Sequence, residues 1–101
     1  MDETLRALKD KIVKIVRQHL KIAHYKVFFF GSRVEGRSGQ RSDLDIGLES
    51  GEKLPAGTVL ELKEKLDELP TLLKLDLVDF NEVDGDFRQV ALKNIEVIYE
   101  Q

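Results

Sequence analysis

The chain has 101 residues, 42% of them hydrophobic and 35% charged, which fits one domain over 1–101 with a modest core and a heavily charged surface. It contains 0 cysteines, so a disulfide scaffold, a thiolate zinc site and a cysteine nucleophile are excluded together. With 16 Lys and Arg against 19 Asp and Glu, the formal charge is −3, which argues against a nucleic-acid binder, usually basic overall.

Leu5, Leu8, Ile12, Ile15, Val16 and Leu20 recur at steps of three and four, with Lys9, Lys11, Lys14 and Arg17 on the other side. This spacing predicts an amphipathic helix over roughly residues 3–21 that covers one face of a sheet. His19 and His24 stand alone near its end and read as surface or boundary residues rather than ligands. Val27-Phe28-Phe29-Phe30 is a β-prone run, apolar on both faces and ended by Gly31-Ser32, as in a strand buried from both sides. After a polar segment, Asp43-Leu44-Asp45-Ile46-Gly47-Leu48-Glu49, with polar–apolar alternation at its start, reads as a second strand.

A second helix is expected after Pro55, with Val59, Leu60, Leu62, Leu66 and Leu69 as its apolar stripe and Pro70 as its stop. Leu72 to Phe80 reads as another strand, followed by a short helix near Phe87 to Leu92 and a last apolar stretch, Ile95 to Tyr99. This order predicts an α/β (α+β) fold: a small mixed sheet with helices packed mainly on one face. No apolar run approaches the roughly 20 residues of a membrane helix. Met1-Asp2-Glu3-Thr4 lacks the basic start and apolar stretch of a signal peptide. The expected address is the cytoplasm, with no membrane contact.

The chemistry concentrates between Phe30 and Asp45. Alternate residues of a strand share a face, so Asp43 and Asp45 project side by side, their Cα atoms about 6.5 Å apart. Two carboxylates so placed repel unless they converge on a hard cation, and Mg²⁺ suits oxygen ligands while keeping positions for water and phosphates. A glycine closing a buried strand lets backbone N–H groups approach a ligand, and the Ser32 hydroxyl can donate to a phosphate oxygen. Arg33, Arg37 and Arg41 lie four apart in a segment whose single acidic residue is Glu35. A cation-rich turn beside an acidic strand is what a nucleoside triphosphate with Mg²⁺ requires.

Asp76, in Leu75-Asp76-Leu77-Val78-Asp79, is costly inside an apolar strand unless partnered. The placement becomes reasonable if this strand lies beside Asp43 and Asp45 and Asp76 completes a metal-binding triad with them. Asp79 is the competing third carboxylate, although odd spacing puts it on the opposite strand face.

Gly31-Ser32, a ten-residue spacer and Asp43-Leu44-Asp45 resemble the signature of the DNA polymerase β-like nucleotidyltransferase superfamily. Extended to Phe30-Gly31-Ser32-Arg33 and Ser42-Asp43-Leu44-Asp45-Ile46 with Leu75-Asp76-Leu77-Val78, the pattern looks like its minimal nucleotidyltransferases, over essentially the whole chain. The resemblance implies that Gly31 and Ser32 hold the triphosphate, with Arg33 and Ser42 in the nucleotide-binding set. It implies that Asp43 and Asp45 ligate Mg²⁺, two ions in all, and that Asp76 is a third metal ligand and possible base. The implied reaction transfers AMP from ATP to a hydroxyl, and the implied partner is a HEPN-domain protein, adenylylated within a toxin–antitoxin pair. The alternative is a non-catalytic binding module that masks such a partner without turnover.

A chain this short has little area left for an acceptor pocket, so another protein must deliver the acceptor to the open edge of the site. The Gly47–Leu54 and Asn81–Phe87 segments are the candidate contacts. The acidic set Glu82, Asp84 and Asp86 would suit a basic partner, while Phe87 reads as the anchor of the last helix.

Overall fold

The structure is a computed structural model that describes residues 3–31 and 43–101. The elements follow in the order α1 (Glu3–His19), β1 (Tyr25–Phe30), β2 (Leu44–Ser50), α2 (Thr58–Asp67), β3 (Leu75–Asp79), α3 (Gly85–Ala91) and β4 (Glu96–Glu100). The four strands form one sheet in the order β3-β2-β1-β4. β1 runs antiparallel to both β2 and β4, and β2 runs parallel to β3 across the α2 crossover. The sheet is therefore mixed, as the sequence predicts.

Side-chain alternation sorts the apolar residues into two layers. Tyr25, Val27 and Phe29 of β1, Leu44, Ile46 and Leu48 of β2, and Leu75 and Leu77 of β3 share one face. Leu8, Ile12, Val16 and Leu20 from the first helical segment and Leu62 and Leu66 of α2 close over that face. The opposite face carries Phe28, Phe30 and Phe80, with Ala91, Leu92 and Ile95 packed on them. The two longer helices thus occupy one side, and the short α3 covers only part of the other. Full burial of Phe28 and Phe29 satisfies the expectation of a strand covered on both faces.

Three local readings are corrected. Leu60 is expected in the α2 stripe but is 62% exposed, because Val59, Leu62, Leu66 and Leu69 already fill the face turned to the core. β3 starts at Leu75 rather than Leu72, whose side chain is fully exposed, since Thr71 accepts the Leu73 N–H through Oγ1 and holds a turn there. β2 runs from Leu44 to Ser50, one residue later at each end than the expected Asp43–Glu49, so the candidate contact stretch Gly47–Leu54 begins within the strand.

α3 owes its start to Asp84, whose side chain accepts the Phe87 N–H at 2.8 Å. Such a cap satisfies one of the free N–H groups of a helix start and contributes about 1 kcal/mol. Phe87 does anchor this helix, its ring centroid 6.2 Å from that of Phe30 and 5.9 Å from that of Phe80. His19 lies at the helix boundary, Nδ1 2.9 Å from the Ile15 carbonyl, and His24 is exposed. Among the described residues, no helix is long and apolar enough to cross a membrane.

Candidate active site

The register of the sheet builds the site. Phe30 of β1 is the Cα partner of Asp45 of β2, and Asp45 is the Cα partner of Asp76 of β3. Directly opposed residues face the same way, so Phe30, Asp45 and Asp76 form a row on the side away from α1 and α2. Asp43 immediately precedes β2 and is exposed, as is Asp76, while Asp45 between them is half-buried. Asp79 lies on β3 too, but its Oδ1 accepts the Asn81 N–H at 2.9 Å and shapes the turn after the strand.

Electrostatics register the crowding. Burial, and then the carboxylates of Asp76 and Asp43, raise the Asp45 carboxyl above its ordinary value. Proximity of like charges with partial desolvation has this effect on a carboxyl group. Among the described residues, no three His, Cys, Asp or Glu side chains are gathered closely enough to hold one metal ion. The chemistry of the donors nonetheless fits a hard divalent cation: oxygen ligands only, like-charged, at one end of a sheet and open to solvent.

Gly31 closes β1 with φ +85°, a left-handed conformation that favours glycine. A Cβ placed there would overlap Asp45 Oδ2 and stand 3.2 Å from Asp45 Cγ. Backbone and carboxylate meet here without a side chain between them. Ser32, Arg33 and Ser42 lie outside the described residues, as does the rest of the arginine-bearing segment.

Two further residues shape this face and had no argument from sequence. Gly47, two residues beyond Asp45, leaves the room that the Phe28 ring and Phe80 Cε1 occupy. Glu49, two residues further, pairs with Arg88 of α3 and lies 3.4 Å from Lys26 Nζ. A solvent cleft of about 580 Å³ opens beside Glu49, Lys26 and Arg88, but at the end of β2 remote from the carboxylates. The signal for Gly47 was present: a glycine at a polar-face position of an alternating strand marks a close approach.

A mixed sheet with two or three aspartates at one end and a glycine-closed strand beside them defines a nucleotidyltransferase-like domain. Residues 10–101 match the family of polymerase beta nucleotidyltransferases, and the chain belongs to it. Over 90 residues it is 38% identical to the Haemophilus influenzae protein named probable protein adenylyltransferase MntA, covering 89% of this chain and 78% of that protein. The fold is similar to a chain in the crystal structure of a toxin–antitoxin with AMP-PNP, with a TM-score of 0.73 and 24% identity, over 90% of this chain and 72% of that one. It is also similar to a chain in the structure of tri-AMPylated Shewanella oneidensis HEPN toxin in complex with MNT antitoxin. There the TM-score is 0.70 and the identity 21%, over 93% of this chain and 71% of that one. These two likenesses bear on the fold.

Proposed function

We propose that this chain transfers AMP from ATP to a hydroxyl of a HEPN-type partner protein, as the antitoxin of a toxin–antitoxin pair. The observation that carries the reading is the placement of Asp45 and Asp76 as partners on adjacent strands, with the Gly31 backbone against Asp45. Family membership supplies the reaction class. The named activity of the 38% identical relative supports adenylyl transfer to protein. The AMP-PNP and AMPylated-toxin complexes support ATP as donor and a HEPN toxin as acceptor.

In this reading Gly31 and Ser32 receive the triphosphate through backbone N–H groups and the hydroxyl, and Arg33 and Ser42 add donors to its oxygens. Asp43, Asp45 and Asp76 would hold Mg²⁺, two ions in the full site, which neutralise phosphate charge and stabilise the leaving pyrophosphate. The acceptor oxygen bonds to the α-phosphorus while the bond from that phosphorus to the bridging oxygen breaks. Pyrophosphate leaves with the bridging electrons. Asp76, the most exposed strand carboxylate of the row, takes the acceptor proton.

Incubation of the chain and its HEPN-type partner with α-³²P-ATP and Mg²⁺ tests the reading. Label is expected on the partner, with pyrophosphate released, and neither with Asp45→Asn. Formation of a complex without label in any condition would favour a module that only masks its partner.

A further inference from the structure

The carboxylate row separates the two sides from which reactants can come. Gly31 lies at its β1 side, and Asp76 lies on β3, the outermost strand of the sheet. In-line displacement at phosphorus requires the attacking and leaving oxygens on opposite sides. With the triphosphate tail at the Gly31 side, the acceptor hydroxyl has to arrive from the β3 side.

A groove lies there. It has a volume of about 700 Å³ and is lined by Asp76 and Val78 of β3, by Lys53, and by Val59, Leu60 and Lys63 of α2. Asp76 therefore belongs both to the carboxylate row and to the groove wall. Leu60, 62% exposed, is a large apolar side chain standing in a groove that no described residue fills.

The strand edge has the matching backbone. β2 and β3 are joined by bonds that include Leu44 N–H to the Lys74 carbonyl and Phe80 N–H to the Leu48 carbonyl. The alternation of a parallel ladder then leaves the N–H and C=O groups of Leu75 and Leu77 directed outward, whereas the Asp79 carbonyl already accepts the Glu82 N–H at 3.0 Å. Unpaired edge groups are a template for another strand.

We propose that this groove is where the acceptor docks: an extended segment of the partner protein adds alongside β3, sets apolar side chains against Val59 and Leu60, and presents its hydroxyl to Asp76. Strand addition supplies affinity through main-chain hydrogen bonds, and pockets for alternate side chains supply selectivity. The inference rests on the AMP-transfer reading for the direction of approach.

Leu60→Arg tests it, with Val97→Arg on the opposite edge strand as control, since Val97 is also exposed, at 44%. At saturating ATP, Leu60→Arg is expected to raise the KM for the partner about tenfold, the size of one lost interface anchor. The KM for ATP and the thermal midpoint should stay at the wild-type values, and Val97→Arg should change none of the three. An unchanged partner KM in Leu60→Arg, or a raised one in Val97→Arg alone, would overturn the docking site. A photo-reactive residue at position 60 separates this failure from failure of the reading beneath it. Crosslinking without any AMP transfer by the wild type keeps the groove and removes the reaction; transfer without crosslinking keeps the reaction and removes the groove.

Discussion

Gly31 and Asp45 occupy the same space as closely as backbone and side chain allow: a Cβ on Gly31 would overlap the Asp45 carboxylate. The φ of +85° alone makes any other residue strained there, at about 1–2 kcal/mol. Gly31→Ala has to move either the end of β1 or the Asp45 side chain. The expected result is a folded protein with a modestly lowered thermal midpoint and at least a tenfold loss of AMP transfer. Wild-type transfer by Gly31→Ala would remove this contact from the reaction.

The carboxylates should be inseparable in function. Asp43→Asn, Asp45→Asn and Asp76→Asn are each expected to cut transfer by about 10²–10⁴, the range associated with a positioned acid–base group. Partner binding, read by gel filtration, should survive all three. Chelation with EDTA should abolish transfer and added Mg²⁺ restore it. Asp79→Asn serves as the discriminating control, because its carboxylate is engaged with the Asn81 N–H; it should keep most of the activity.

Asp45 also sets a pH dependence of stability in the metal-free protein. Its folded-state pKa is raised by burial and by Asp76 and Asp43, so the native state favours the protonated form more than the unfolded chain does. Below the unfolded value both states are protonated and no penalty exists. As pH rises past that value toward the raised one, the native state pays for ionising Asp45, and the loss persists at neutral pH. Asp45→Asn should therefore equal the wild type in thermal midpoint near pH 3 and exceed it slightly at pH 7. Equal midpoints at both values would mean that the repulsion is relaxed by solvent.

Much of this architecture was legible because it depends on periodicity. The stripe of Leu8, Ile12 and Val16 and the four-residue run Val27–Phe30 each admit one packing, and the sheet face of Asp45 follows from its neighbours Leu44 and Ile46. The juxtaposition of Asp45 with Asp76 was not legible in the same way. It needs the parallel register of β2 and β3 across a crossover of more than twenty residues, which no local pattern encodes. Leu60 failed for a related reason. Helical spacing marks Val59 and Leu60 alike as apolar, and only the position of β3 decides which of them meets the core. Asp84 shows a third limit: an acidic residue in a polar loop reads as surface charge, whereas its oxygen is engaged in capping α3.

Gly47 offers the sharpest test of how the aromatic layer supports the site. Its missing side chain is replaced by the Phe28 ring and by Phe80 Cε1, which would lie 2.9 Å from a Cβ. The two rings contact each other edge to face at a centroid distance of 4.9 Å, and Phe80 meets Phe30 in the same way at 5.0 Å. Phe30 in turn is the register partner of Asp45. Gly47→Ala therefore pushes on a closed set of rings whose last member adjoins the carboxylates. Overpacking of this kind costs about 1–3 kcal/mol, read as a lower denaturation midpoint. Phe28→Leu should lose stability on its own yet recover part of the Gly47→Ala loss when the two are combined, because the smaller side chain vacates the space. Strict additivity in that double-mutant cycle would show that Gly47 and Phe28 do not compete for it.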